Sequence, residues 1–266
     1  MRDRFDLTGR SAIVTGGGGI LGQGFSAVLA EYGARVAVCD VDEAAARKTA
    51  DAIGTAAIAV ACDVSNAQSV ATAVARVAKE FGGVDILHNN AATKTSNLAD
   101  FFAPFEDYTL GTWREVMGVN IDGMFLMAQA VGKLMIAQGR GGSIIQTASI
   151  YGVAAPDQRI YEGSQYLGRP INTPAVYSTS KAAVIGLTRH LAAEWAGHGI
   201  RVNALTPGGV ESGQNEVFSR KYSARVPLGR MARADEMQSA LLFLASDASS
   251  YMTGQNVIVD GGLTCW

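Results

Sequence analysis

Seven short runs of apolar residues recur along the chain, separated by segments whose apolar positions fall three and four residues apart. The runs are "SAIVT" (11–15), "RVAVCD" (35–40), "AIAVACDV" (57–64), "VDILHNN" (84–90), "GSIIQTAS" (142–149), "IRVNALTP" (200–207) and "NVIVDG" (256–261). Most are continuous rather than alternating, the pattern of strands covered on both faces. Between them, "DEAAARKTADAI" (42–53) and "NAQSVATAVARVAKEF" (66–81) carry apolar residues at helical spacing. Such alternation predicts an α/β fold: a doubly wound parallel sheet of about seven strands flanked by helices, in one domain over residues 1–266. Two long connections, 150–174 and 208–232, break the rhythm, and loops of that length in a compact domain usually serve function.

Composition narrows the classes. At 266 residues, 48% hydrophobic and 17% charged, the chain can bury a sizeable core and is too apolar for disorder. A net charge of -2 argues against a nucleic-acid partner. No run of 18 consecutive apolar residues appears, and the opening "MRDRFDLTGR" lacks the apolar core of a signal peptide, so neither a membrane partner nor export is expected. Cys39, Cys62 and Cys265 are few, odd in number and far apart, which suits a reducing, cytoplasmic setting. With His88, His190 and His198 sharing no ligand spacing either, no metal site is expected.

The glycines add the first chemistry. "IVTGGGGILGQG" joins the first strand to the first helix, and Gly17, Gly19 and Gly22 spell G-x-G-x-x-G in the strand–turn–helix setting of a dinucleotide site, hence a Rossmann-type fold. Glycines permit the tight turn and let a diphosphate approach the backbone, while the helix N-terminus offers N–H groups and positive potential. Asp40, 18 residues after Gly22, ends the second strand where a carboxylate can accept from the adenosine ribose hydroxyls. It would repel a 2′-phosphate, and Val41 supplies no cation, so NAD is expected over NADP. The alternative is that Asp40 only caps the following helix. Asp63 is a candidate neighbour of the adenine ring, or simply a turn residue.

"AVYSTSKAAV" (175–184) places Tyr177 and Lys181 one helical turn apart, the only tyrosine followed by a lysine at that spacing. A phenol with an ordinary pKa near 10 is a poor base at neutral pH; a nearby ammonium favours the phenolate. Tyr177 is therefore expected to exchange a proton with an alcohol or carbonyl, Lys181 lowering its pKa and reaching a cofactor ribose. Tyr151, Tyr161 and Tyr166 are rival phenols without that lysine.

Taken together, "TGGGGILG" (15–22), "DV" (63–64), "NNAA" (89–92), Asn120 in "VMGVNIDG", Ser149 in "IIQTASIYG", "YSTSK" (177–181) and "NALTPGGV" (203–210) resemble the short-chain dehydrogenase/reductase family over nearly the whole chain. The resemblance implies cofactor contacts from Gly16, Gly19, Ile20, Leu21, Gly22, Asp40, Asp63, Val64, Asn90, Ala91, Ala92, Tyr177, Lys181, Pro207, Gly208 and Val210. It implies that Ser149 orients the substrate oxygen, that Asn120 holds a water linking Lys181 to solvent, and that the chain forms a homotetramer or homodimer. Thr147 is an alternative to Ser149 on spacing alone. Two departures stand out: Ile20 occupies the slot of the family's middle glycine, and the 28-residue gap from Ser149 to Tyr177 exceeds the usual one. The "SIYG…YEG" segment is similar to that of members linked to bacterial surface-sugar and flagellin-glycan modification.

The substrate side rests on 150–174, read as an insertion, and 208–232, read as a Gly-rich substrate lid with Arg220, Lys221, Arg225 and Arg230. Asp157, Arg159, Glu162, Gln165 and Arg169 make the insertion polar enough for a polyol. The expected activity is NAD-dependent hydride transfer to or from a secondary alcohol/ketone of a small hydroxylated, sugar-like molecule. The alternatives are an NADPH-dependent 3-oxoacyl-acyl-carrier-protein reductase and a non-catalytic dinucleotide-sensing protein.

Overall fold

Along the first strand, Ala12 and Val14 pack into one layer of helices while Ile13 packs into the other, and none of the three is exposed. That period of two, with apolar side chains on both faces, explains why the strand is an unbroken apolar run. The computed structural model describes residues 3–166 and 168–266; Met1, Arg2, Leu167 and the side chain of Tyr166, one of the rival phenols, lie outside the described residues.

The chain alternates β1 (Ser11–Thr15), α1 (Ile20–Glu31), β2 (Arg35–Asp40), α2 (Glu43–Ile53), β3 (Ala57–Ala61), α3 (Ala67–Phe81) and β4 (Ile86–Asn89). It continues with a short α4 (Leu98–Phe101), α5 (Leu110–Met117), a π-helical turn (Gly118–Asp122), α6 (Gly123–Gln138) and β5 (Gly142–Thr147). A two-stranded ribbon, β6 (Gln165–Tyr166) and β7 (Arg169–Pro170), precedes α7 (Ala175–Trp195), β8 (Ile200–Pro207), α8 (Glu216–Ser223), α9 (Gln238–Ala245) and β9 (Asn256–Val259). The seven long strands form one parallel sheet in the order β3-β2-β1-β4-β5-β8-β9. All seven expected strands are present; β3, β5 and β9 end before their apolar runs do, their last residues turning into the connections, and β4 is shorter at both ends. Asp42 and Asn66 cap α2 and α3, accepting from Ala44 and Ala45 N–H and from Ser69 N–H respectively.

Helices α1, α2 and α9 cover one face, and α3, α6 and α7 the other, in a single domain. The chain runs outward from β1 to β3, then returns to place β4 on the other side of β1. A crevice opens at such a reversal, beyond the carboxyl ends of the strands. The stretch Leu110–Gln138 is long and apolar enough, by length and composition, to cross a bilayer. Here it is a core helix: Met124, Met127, Ala128, Val131 and Met135 are buried against the sheet or α7.

The two long connections are not the loops expected. Residues 150–174 hold 3-10 turns at Ile150–Gly152 and Gln158–Tyr161 besides the ribbon, and 208–232 contains α8. They form a common apolar cluster of Ile150, Ile160, Phe218, Tyr222, Val226, Met231 and Leu263. Tyr161 stacks on Phe218 at 5.4 Å, Lys221 donates to the carbonyls of Arg159 and Glu162, and Arg225 lies 3.6 Å from Asp157. Amphipathic turns spaced irregularly along the chain escape a search for period alone.

At the opposite end of the sheet, buried Asp85 accepts from the Ser11 N–H (2.9 Å) and hydroxyl (3.0 Å) and from Arg140 (2.7 Å). Removing one partner of such a buried network leaves the others unsatisfied. Asp85→Ala is expected to cost about 3 kcal/mol, read as a lower denaturant midpoint with unchanged slope.

Candidate active site

The crevice at the strand reversal is a groove of about 830 Å³, lined by the glycine turn, by Asp40 to Asp42, by Cys62 to Ser65 and by Asn90 to Lys94 with Val119. Gly16 adopts φ +63°, a left-handed conformation that L side chains rarely take. A Cβ at Gly22 would sit on the Gly16 carbonyl oxygen, so the turn closes only with glycine there. Gly19 stands at the N-cap of α1 without a side-chain acceptor, and the first turn has no acidic residue. The leading N–H groups of that helix are thus left for an anion. Ile20, 62% exposed, lines the groove, so the missing family glycine leaves the cradle intact.

Asp40 has two tasks here. One carboxylate oxygen accepts from Gly18 N–H at 3.0 Å, tying β2 to the glycine turn, and the other accepts from Asp42 N–H at 3.1 Å. It does not cap α2; Asp42 does. Val41 beside it is 74% exposed at the groove rim. Asp63 makes a turn, accepting from Ser65 N–H and hydroxyl, and lies in the groove wall with Val64. Asn90, Ala91 and Ala92 form the opposite wall, where the Thr15 hydroxyl accepts from the N–H groups of Asn90 and Ala91 and binds the end of β4 to that of β1.

From this wall the connection to the catalytic candidates is direct. Asn120, fully buried in the π-helical turn, accepts from Thr93 N–H at 3.0 Å and donates to the Ser180 hydroxyl at 3.1 Å. Ser180 in turn donates to the Tyr177 carbonyl. The Asn120 side chain is therefore engaged by protein groups, Thr93 and Ser180. Single π-turns recur at functional sites because they re-aim one side chain.

Lys181 is 2% exposed, and its Nζ donates to the Thr147 carbonyl at 2.9 Å. Burial pushes its pKa down from 10.5 to about 8. Nζ lies 5.9 Å from the centroid of the Tyr177 ring. Burial raises the Tyr177 phenol above its ordinary value; the Ser149 hydroxyl opposes that by hydrogen bonding, and Tyr161 adds to the rise. In this structure the Ser149 hydroxyl is the group that pulls the phenol's pKa down, while the Lys181 ammonium is hydrogen-bonded to a strand carbonyl. Ser149 itself caps the turn after β5, accepting from Tyr151 N–H at 3.2 Å, which leaves its proton to donate. Thr147, the alternative to Ser149, has its hydroxyl engaged with His88 and Asn90. His88 is buried beside Phe25, and burial lowers its pKa to about 3.

Not every expected contact converges. Pro207, Gly208 and Val210, like Tyr177 and Lys181, do not line this groove: Gly208 lines a separate cavity of about 80 Å³, and Val210 bridges Ala232. Conversely, Gly18, Cys62, Ser65, Thr93, Lys94 and Val119 line the groove unforeseen. Adjacency to the motifs "DV" and "NNAA" was the available signal for most of them; Val119 reaches the groove only through the packing of the π-turn. Among the described residues, no cluster of three His, Cys, Asp or Glu side chains is arranged for a metal.

Comparison with known proteins places this geometry. The family described as Enoyl-(Acyl carrier protein) reductase matches residues 19–264. A D-threitol dehydrogenase of Mycolicibacterium smegmatis is 37% identical, covering 98% of this chain and 95% of its own. A gluconate 5-dehydrogenase of Burkholderia cenocepacia, solved with NADP and tartrate, superimposes with a TM-score of 0.87 at 36% identity, covering 99% of this chain and 98% of the other. A short-chain dehydrogenase of Leptospira borgpetersenii serovar Hardjo-bovis with bound NAD+ gives 0.88 at 32% identity, covering 99% and 96%. The chain belongs to the short-chain dehydrogenase/reductase family. It is accordingly an oxidoreductase acting on alcohol groups.

Because a buried ammonium is costly, Lys181→Met is expected to stabilise the fold by about 1–3 kcal/mol near neutral pH while abolishing turnover. The depressed pKa sets the window: the gain is complete below about pH 8 and disappears above pH 10.5, where lysine is neutral in both folded and unfolded chains. Denaturation midpoints across that range test the sign.

Proposed function

We propose that this protein catalyses NAD-dependent oxidation of a secondary alcohol, or the reverse reduction of the ketone, on a small polyol or related sugar derivative. The carrying observation is the continuity of the dinucleotide-shaped groove with the catalytic cluster: Thr93 in its wall bonds to Asn120, Asn120 to Ser180, and Ser180 lies beside Lys181 on the helix of Tyr177. The residues present fit the cofactor. The glycine turn and the uncapped start of α1 would hold the diphosphate, Asp40 the adenosine ribose, Asp63 and Val64 the adenine, and Ala91 and Ala92 the nicotinamide side. A bound nicotinamide supplies the hydride acceptor or donor.

The chain's own residues handle the proton. Ser149 donates to the substrate oxygen and holds it against the Tyr177 hydroxyl. Tyr177 removes the hydroxyl proton during oxidation or returns it during reduction. Lys181, protonated at neutral pH and held by Thr147, reaches toward the cofactor ribose and supplies positive potential beside the phenol. Asn120 positions α7 through Ser180. The preference for NAD rests on Asp40, whose carboxylate opposes a 2′-phosphate, and on Val41 in place of a cation. The polyol assignment draws on the threitol and gluconate relatives and on the polar insertion. Buried, unpaired Cys39 and Cys62 suit a reducing, cytoplasmic setting, and β9, an edge of the sheet, suits pairing into a homodimer or homotetramer.

Two measurements decide the reading. A panel of threitol, sorbitol, galactitol and gluconate, followed by NADH absorbance, should yield turnover with at least one, and more with NAD than with NADP; activity confined to 3-oxoacyl thioesters with NADPH would replace it. Tyr177→Phe should lose turnover by about 1,000-fold with NADH still bound, whereas near-wild-type activity would remove Tyr177 from the chemistry. Ser149→Ala should shift the rising, acid-side limb of the oxidation profile to higher pH, since the phenol loses the hydrogen bond that holds its pKa down.

A further inference from the structure

Beside the catalytic tyrosine lies a second chain of hydroxyl groups that the proton chemistry does not use. Thr173 is buried, and its backbone is tied on both sides to Gln158, which donates to its carbonyl at 2.8 Å and accepts from its N–H at 3.3 Å. Only its hydroxyl remains to interact, and it meets the Tyr161 hydroxyl. Tyr161 donates to the Tyr151 hydroxyl at 3.4 Å. A hydroxyl has a single proton, so when Tyr161 gives its proton to Tyr151, the Thr173 proton goes to Tyr161. The Tyr151 proton is the free end, and no acceptor for it exists among the described residues.

The location of that free donor matters. Tyr151 lies two residues beyond Ser149 and is clamped to it through the backbone bond to the Ser149 hydroxyl. The next residue, Gly152, packs so closely on α7 that a Cβ there would lie 2.5 Å from the Lys181 carbonyl carbon. Tyr151 is half-buried. On the far side, Tyr161 is braced by stacking on Phe218, which fixes the relay against α8. Burial raises both phenols, keeping each a neutral donor through the working range.

We propose that Tyr151 donates its phenolic proton to a substrate hydroxyl neighbouring the carbinol on which Tyr177 acts, with Tyr161 and Thr173 as positioning residues that orient that proton. This rests on the polyol reading above and adds the means by which this chain separates a polyol from a simple secondary alcohol. The donor belongs to the long segment between Ser149 and Tyr177, giving that insertion a role in selectivity.

The test compares kcat and KM of wild type, Tyr151→Phe, Tyr161→Phe and Thr173→Val on the best polyol of the panel and on its analogue lacking the hydroxyl next to the reacting carbon. Tyr151→Phe should raise KM for the polyol about tenfold or more, leave kcat within a few-fold, and leave the deoxy analogue nearly unchanged. Tyr161→Phe and Thr173→Val should move the same ratio in the same direction by less, with NADH affinity and melting temperature as checks on folding. If Tyr151→Phe fails to fold, the ratios for the other two variants decide. Equal losses on both substrates, or an unchanged ratio, would overturn the inference while leaving the polyol reading intact. A wild-type enzyme that binds NADH yet oxidises no polyol overturns that reading, and this inference with it.

Discussion

A lysine ammonium held almost out of water by one strand carbonyl is the constraint around which this site is organised. Lys181 donates to Thr147 at the end of β5, a polar bond that ties α7 to the central sheet beside its apolar packing. In the interior a charge is costly unless hydrogen-bonded, and the cost appears as a pKa lowered to about 8. Ionisation is brought near physiological pH at the expense of stability, the compromise found wherever function needs a strained charge. The phenol is handled differently. Its own burial opposes ionisation, and the adjustment comes from the Ser149 hydroxyl, which the turn after β5 presents.

The cofactor side uses backbone rather than charge. At the reversal between β1 and β4, the glycine turn, the free start of α1 and the tip of β2 surround one groove. Asp40 fastens Gly18 and Asp42 at the groove rim, while each of its oxygens retains further acceptor capacity. Replacing the family's middle glycine by Ile20 is tolerated because that position points outward, whereas Gly22 faces the Gly16 carbonyl.

Two segments distant in sequence pack together beyond the turn that follows Ser149. Residues 150–174 and 208–232 bury a shared apolar cluster and spend several of their charges on each other, Lys221 on the carbonyls of the 3-10 turn and Arg225 beside Asp157. Trp266 adds a further brace, donating to the Arg225 carbonyl.

By itself the sequence determined the seven strands and their parallel, doubly covered arrangement, the glycine turn, the acidic tip of β2 and the Tyr177–Lys181 pair. Each is a local signal: a period of two, a period of 3.6, a glycine at a forced turn, or two residues one helical turn apart. Tertiary structure alone decided that Lys181 bonds to a carbonyl 34 residues away. It also decided that Asn120 is satisfied by Thr93 and Ser180, that Pro207, Gly208 and Val210 stand outside the groove, and that the long connections fold against each other. Those outcomes depend on which buried donor finds which acceptor after packing, and periodicity along the chain carries no record of partners brought together from distant elements.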